Sequence, residues 1–460
     1  MAKIKTEYPK LTFYGGTGTV TGANFLLEDE DTKILIDCGL IQGMNSFEVN
    51  RKPFPYDPKE IDYLFITHGH IDHIGRIGKL VKEGFTGKIY STPVTKEIAK
   101  PMLDDAVSLL SRAAKRKDVE ALYGSNDVDK AFSLWHTIDY HEEQTFGNFK
   151  FFPKDAGHVL GSVMYEITYK PSGKKIVFTG DLGNSPSPIL KDTEEVTDAD
   201  YLIMESVYGD RIHKDKEDRK EKLKVILNKI IEKKGTLLIP VFSLEKTQVL
   251  LHEMNDLIEG GEVPSVPVFL DSPLGIKLTS IYQNPKNTSL FNGHIQKEIK
   301  AGDDIFDFPK LKLTLHQRES KGIDKTKSPK IIISSSGMSV GGRVVEHERK
   351  YLPGKENGLL LIGYQVAGSM GRRIRDGAKE IEINHKRVKV RAEIFSMDGY
   401  SSHKDSEGLL EFVDNTADTV KKVFMVMGEP RSALFLVQKV RDLLEVDAIH
   451  PEEGQSFILD

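Results

Sequence analysis

Residues 67–76 read THGHIDHIGR. Three histidines and an aspartate, His68, His70, Asp72 and His73, fall within six residues, directly after the strand-like run YLFIT. Two readings compete. One is a solvated, His-rich loop. The other is a metal site, because neutral imidazole and carboxylate are zinc ligands, and a tight turn after a strand can aim alternate side chains at one ion and its neighbour. The rest of the chain decides between them.

Working outward, the same grammar recurs. KILI ends at Asp37, FFPKDAG leads to His158, KIVFTG ends at Asp181, YLIM ends at Glu205, and AEIFSMDGYSS leads to His403. Loops at the ends of neighbouring strands can converge on one site. Each residue alone has an ordinary reading. An aspartate after a strand is usually a turn residue, Glu205 alone reads as a helix-start or turn carboxylate, and His403 as part of a helix start beside Ser401 and Ser402. The dense cluster at residues 68–73 shifts the whole set toward metal chemistry. Asp181 could bridge two ions, His158 could complete the first shell, and Asp37 could orient a ligand from behind.

The chain has 460 residues, with 39% hydrophobic and 29% charged side chains, which suits a globular protein of two or three domains. Cys38 is the single cysteine, so no disulfide can form within the chain, which fits a reducing cytoplasm. The opening MAKIKTEYPK lacks an apolar signal core, and no run of about 18 apolar residues suggests a membrane span. The formal net charge is −5, so a polyanionic partner would need a local basic groove.

Residues 1–205 read as short strands with a charged helical stretch from 101 to 142. Residues 206–376 alternate helices with apolar runs such as TLLIPVF, KIIISSSG and GLLLIGY, which is the pattern of a parallel α/β sheet. Residues 377–460 return to short strands and a helix. The order suggests an α/β domain inserted into another domain.

These segments resemble the metallo-β-lactamase superfamily, specifically the β-CASP family of RNA-processing nucleases of the bacterial RNA-metabolising type, similar to the cleavage and polyadenylation endonuclease. The resemblance covers nearly the whole chain and rests on GGTGTVTGANFLLE, DCGL, THGHIDHIG, GHVLGS, TGDLGN, ESVYGDRIH, DSPLGIKLTSIY, SSSGMSVGGRVVEH, GYQVAGSMGRRIRDGAKEIEI and DGYSSHKD, in that order. It implies an α/β fold: an αββα metallo-β-lactamase sandwich with an inserted α/β β-CASP domain, and substrate in the cleft between them.

The resemblance also implies two Zn2+ ions, with Mn2+ as an alternative. His68, His70 and His158 would bind one ion, Asp72 and His73 the other, and Asp181 would bridge. Glu205 would hydrogen-bond His403, which would face the scissile phosphate as general acid. The implied partner is single-stranded RNA, with a homodimer, a cytoplasmic location and no membrane. The Ser335, Ser336, Gly337 and Met338 loop could cradle phosphate on its backbone N–H groups, with Arg343 and Arg372 adding charge; the alternative is a tight strand–helix turn with solvated arginines. The basic run RAAKRK reads as a solvated helix face.

The pattern breaks at one ligand. The family ends its site with a His-Gly-Glu turn after the last strand. Here KKVFMVMGEP keeps Gly428 and Glu429 but has Met427 in place of the histidine that would bind the second zinc. A thioether is a poor zinc ligand beside imidazole. His450 lies too far along to be the motif residue. Leu244, Glu245 and Lys246 stand where relatives tend to have small residues and an arginine, and Ser402 where alanine is common. The reading is a metal-dependent ribonuclease. The alternatives are an RNA-binding scaffold with a weakened site and, against the grain of so long an insertion, a small-molecule hydrolase.

Overall fold

The computed structural model describes residues 7–43, 45–213, 218–339, 341–363, 365 and 368–460. The chain divides into two compact units, one formed by residues 1–212 with 403–460 and the other by residues 213–402.

The first unit is built on two seven-stranded sheets. One orders Ser456–Ile458, Lys10–Gly15, Asn24–Glu28, Lys33–Ile36, Tyr63–Phe65, Lys88–Ser91 and Trp135–Thr137. The other orders Ala448–Ile449, Lys422–Val426, Tyr201–Glu205, Lys174–Phe178, Val163–Tyr169, Phe149–Asp155 and Gln144–Phe146. Strand alternation explains the layers, because successive side chains point to opposite faces. In NFLLE, Phe25 and Leu27 enter the core between the sheets, whereas Leu26 packs outward among helix residues such as Ile77, Leu80 and Leu103. In YLIME, Tyr201 and Ile203 face inward, and Leu202 and Met204 pack against Leu409, Phe412 and Leu436. Both sheets are therefore apolar on two faces, and helices cover the outside. The layers are α, β, β, α.

The second unit holds a six-stranded, wholly parallel sheet, ordered Leu311–Leu313, Val268–Leu270, Lys330–Ser334, Thr236–Pro240, Gly358–Ile362 and Glu393–Met397. Its inner strands are the continuous apolar runs TLLIP, KIIIS and GLLLI, buried on both faces as parallel strands between helices must be. A two-stranded hairpin, Glu380–Ile383 with Lys386–Lys389, packs on this unit's core through Ile381, Ile383 and Val388.

The return boundary differs from the one expected at 376/377. Residues 377–402 belong to the second unit because Glu393–Met397 pairs in parallel with Gly358–Ile362 as its edge strand. The entry boundary falls at 212/213 rather than 205/206. Five short strands escaped the sequence reading: Trp135–Thr137, Gln144–Phe146, Leu311–Leu313, Ala448–Ile449 and Ser456–Ile458. The charged stretch resolves into helices Pro93–Arg116 and Ser125–Ser133. Among the described residues no helix is long and apolar enough to cross a membrane.

Candidate metal centre

Parallel strands bring their C-terminal ends to one edge of a sheet. In the first sheet, Lys33–Ile36 and Tyr63–Phe65 run in parallel and deliver Asp37 and residues 67–73. In the second, Lys174–Phe178, Tyr201–Glu205 and Lys422–Val426 are neighbours and all parallel. They deliver Asp181, Glu205 and Met427. The loop between the antiparallel strands Phe149–Asp155 and Val163–Tyr169 adds His158.

Four donor atoms face one point. His68 Nε2 lies 3.0 Å from His70 Nδ1. His158 Nε2 lies 3.3 Å from His70 Nδ1. Asp181 Oδ2 is 3.5 Å from both His68 Nε2 and His158 Nε2. A four-coordinate ion with bonds of about 2.0–2.2 Å holds its ligands about 3.3–3.6 Å apart, so the set has the dimensions of a zinc cradle. The donor chemistry fits as well. Burial, with the charge of His73 close by, holds His68 well below its ordinary range, in the neutral form that binds metal. Burial alone would push Asp181 up, but His73 and His68 hold it well below the carboxylate range.

His73 is set from behind. Asp37 Oδ2 lies 2.7 Å from His73 Nδ1, and Asp37 accepts from Thr67 N and Thr67 Oγ1, each at 2.8 Å. This fixes Nδ1 as the donor and leaves Nε2 facing Asp181 Oδ1 at 3.4 Å. His73 Nε2 and Asp181 Oδ1 are buried and have no hydrogen-bond partner. Burial works against a charge on His73, yet Asp181 and Asp37 raise it well above its ordinary range, so this pocket attracts positive charge. Asp72 is beside them; burial lifts its carboxyl to about 6.

Glu205 is fully buried, accepts from Leu182 N at 2.7 Å, and stands 3.1 Å from His403 Nδ1 through both oxygens. Burial raises the Glu205 carboxyl against the pull of His403. His403 Nδ1 is 3.9 Å from Asp181 Oδ2, and its ring lies against His158 at 4.5 Å. The His403 side chain is partly open to solvent.

The residues expected in the loops of the second unit have mixed placements. Ser335 Oγ bonds Ser243 Oγ at 2.7 Å and Ser272 Oγ at 2.6 Å. Gly337 O accepts from Gln365 Nε2, and Met338 O accepts from Gly371 N. The loop that carries Ser336 thus packs on the turn that leads to Arg372, whose Nε donates to Asp376 at 2.8 Å. Tyr364, Val366 and Ala367 of that motif lie outside the described residues, as does Val340.

Arg343 departs from the expected phosphate contact. Its Nη1 donates to buried Asp271 Oδ1 at 2.7 Å and to Thr314 O, and its Nη2 to Leu315 O. It is an internal tie, because a buried carboxylate claims its charge. Lys246 sits against the Phe242 ring, and burial lowers its ammonium to about 8 against the pull of Asp398.

Met427 is buried and belongs to the apolar core between the sheets. His450 Nδ1 meets Met425 O at 2.8 Å and joins no ligand group among the described residues. Sequence reading missed Thr67, which braces Asp37, and Ser162, whose Oγ accepts from His158 N at 3.0 Å. Both lie inside quoted motifs, but a hydroxyl next to a histidine carries no pattern of its own.

Comparison with known proteins agrees with this architecture. Residues 17–240 match the metallo-beta-lactamase superfamily, residues 247–374 the Beta-Casp domain, and residues 387–451 the Zn-dependent metallo-hydrolase RNA specificity domain. The chain is similar to Ribonuclease TTHA0252 of Thermus thermophilus, 30% identical across 92% of this chain and 94% of that protein. It is also similar to Cleavage and polyadenylation specificity factor 73 of Drosophila melanogaster, 30% identical across 94% of this chain and 62% of that protein. A solved structure of a protein of unknown function from Enterococcus faecalis shares the fold, with a TM-score of 0.57 and 14% identity over 98% of this chain and 100% of that one.

Proposed function

The chain belongs to the β-CASP family of RNA-processing metallo-β-lactamase nucleases, and on that premise we propose that it is a metal-dependent ribonuclease that hydrolyses phosphodiester bonds of single-stranded RNA. The observation that carries the reading is the four-donor cradle of His68, His70, His158 and Asp181 beside the Glu205–His403 pair. The scaffold alternative is not favoured, because the relatives include a ribonuclease and this cradle has its full donor set.

A divalent cation in the cradle supplies Lewis acidity toward a phosphodiester oxygen and brings the pKa of water toward neutrality. The remaining chemistry falls to the chain. Glu205 accepts from His403 Nδ1, which fixes the orientation of the ring from which His403 would meet a substrate oxygen. From there His403 gives its proton to the leaving oxygen as bond cleavage builds charge on it. Asp37 and Thr67 hold His73 in one tautomer, and Ser162 holds the backbone at His158.

The His-rich donor set favours zinc, with manganese as the alternative. The Ser335–Met338 loop and Arg372 are proposed to contact the RNA backbone, which carries position rather than sequence. A cytoplasmic location, supported by the single cysteine, and a homodimer belong to the same proposal. The test is cleavage of a 5′-monophosphorylated single-stranded RNA by metal-loaded protein, by chelated protein and by His403→Ala. Cleavage only by the loaded wild type is expected. Equal cleavage by all three would overturn the proposal.

A further inference from the structure

The two sides of the metal centre are not equally built. One side has four donors within 3.0–3.5 Å steps of one another. The other presents His73 Nε2 and Asp181 Oδ1, both buried and 3.4 Å apart, with no hydrogen bond from either atom to any other group. Among the described residues, three or more donor atoms close to within 4.8 Å of one another in two groups: the four-donor cradle, and Asp181 with Glu205 and His403. His73 and Asp72 belong to neither.

The sheet shows where another donor would come from. Three adjacent parallel strands end at this edge and deliver, in turn, Asp181, Glu205 and position 427. The first two positions carry carboxylates. The third is Met427, whose backbone takes a left-handed φ of 49°. Its N–H donates to Gly16 O at 2.6 Å, and its sulfur lies so close to Gly16 that a Cβ there would be 2.7 Å away. The side chain joins Phe13, Phe25 and Phe424 in the core between the sheets. A soft thioether packed in that core offers no nitrogen or oxygen to a hard or borderline cation.

We propose that this chain binds one divalent metal ion tightly, in the His68, His70, His158 and Asp181 cradle, and a second only weakly, opposite His73 Nε2 and Asp181 Oδ1, because Met427 replaces a donor. The proposal rests on the metallo-hydrolase reading of the same site. It adds an order of loading: the four-donor side fills first and stays filled, and the second side exchanges with free metal.

The test is metal content, which does not depend on RNA cleavage. Protein loaded with excess Zn2+ and dialysed to metal-free buffer is analysed by mass spectrometry for zinc per chain. Co2+ is titrated in parallel and followed by visible absorption. Wild type is expected to retain one equivalent and to bind the second about a hundredfold or more weakly. Met427→His is expected to retain two. His73→Ala is expected to retain one, which keeps the test decisive if the buried methionine position tolerates no imidazole.

Two tightly held equivalents in wild type would overturn the proposal. So would loss of the retained ion in His73→Ala, or a folded Met427→His protein that still holds one. If stoichiometry follows the proposal while no variant cleaves RNA, the ribonuclease reading fails and the loading order stands.

Discussion

Asp37 Oδ2 and His73 Nδ1 lie 2.7 Å apart in the buried floor of the site, thirty-six residues separated in sequence. The bond sets the tautomer of His73 and aims Nε2 at Asp181. Asp37→Ala removes that orientation and the acceptor for both Thr67 hydrogen bonds. The expected effect is a loss of about 10–100-fold in affinity for metal at the His73 side. Titration with Co2+ under visible absorption checks it. Unchanged affinity would show that His73 needs no brace.

The Glu205–His403 pair separates proton transfer from metal binding. His403→Ala should lower the cleavage rate by about 10²–10⁴-fold with metal content unchanged. Glu205→Gln should move the pH dependence of kcat, because the buried carboxylate no longer supports a charged imidazole at 3.1 Å. Retained metal with lost activity is the diagnostic combination. Loss of metal in either variant would place the pair in the cradle instead.

Gly39 marks how tightly residues 67–76 are seated. A Cβ there would stand 1.5 Å from Asp72 O, a backbone atom that no rotamer change can move. Gly39→Ala must displace the loop that carries Asp72 and His73. A stability loss of about 3 kcal/mol is expected, with weakened metal binding. Urea unfolding measures the first and metal titration the second.

In the second unit, Asp271 gives a pH prediction. Burial alone would raise its carboxyl, but bonds from His347, Ser320, Thr314 and Arg343 bring it down to about 2. A depressed folded-state pKa contributes stability that is present above the unfolded value near 4 and lost as the pH falls toward 2. The contribution is about 2 kcal/mol at neutral pH. Unfolding of wild type and Asp271→Asn should differ at pH 7, with the gap closing between pH 4 and pH 2. A gap that stays constant through that window would contradict the assignment.

Much of this was legible in the sequence. Strands such as NFLLE and KIIIS announce themselves by composition, and strand ends that each carry a carboxylate or imidazole point to one edge. Trp135–Thr137 and Gln144–Phe146 did not, being three residues long and interrupted by polar side chains. EIFSM has the composition of a strand from either unit, and only its pairing with Gly358–Ile362 assigns it to the second compact unit. Arg343 in a glycine-rich loop looks like a phosphate contact until Asp271, 72 residues away, is found against it. Such long-range pairings carry no local signal. Thr67 and Ser162 are illegible for another reason: hydroxyl side chains bond nearby backbone in every kind of loop.

The most direct test of the central claim is cleavage of single-stranded RNA by wild type and Asp181→Asn, each assayed after chelation and again after Zn2+ or Mn2+ is restored. Asp181 contributes to both sides of the centre. Multiple turnover is expected from metal-restored wild type, none after chelation, and a fall of at least about 10²-fold in Asp181→Asn with either metal restored. RNA cleavage that persists in chelated protein, or in Asp181→Asn at the wild-type rate, would contradict it.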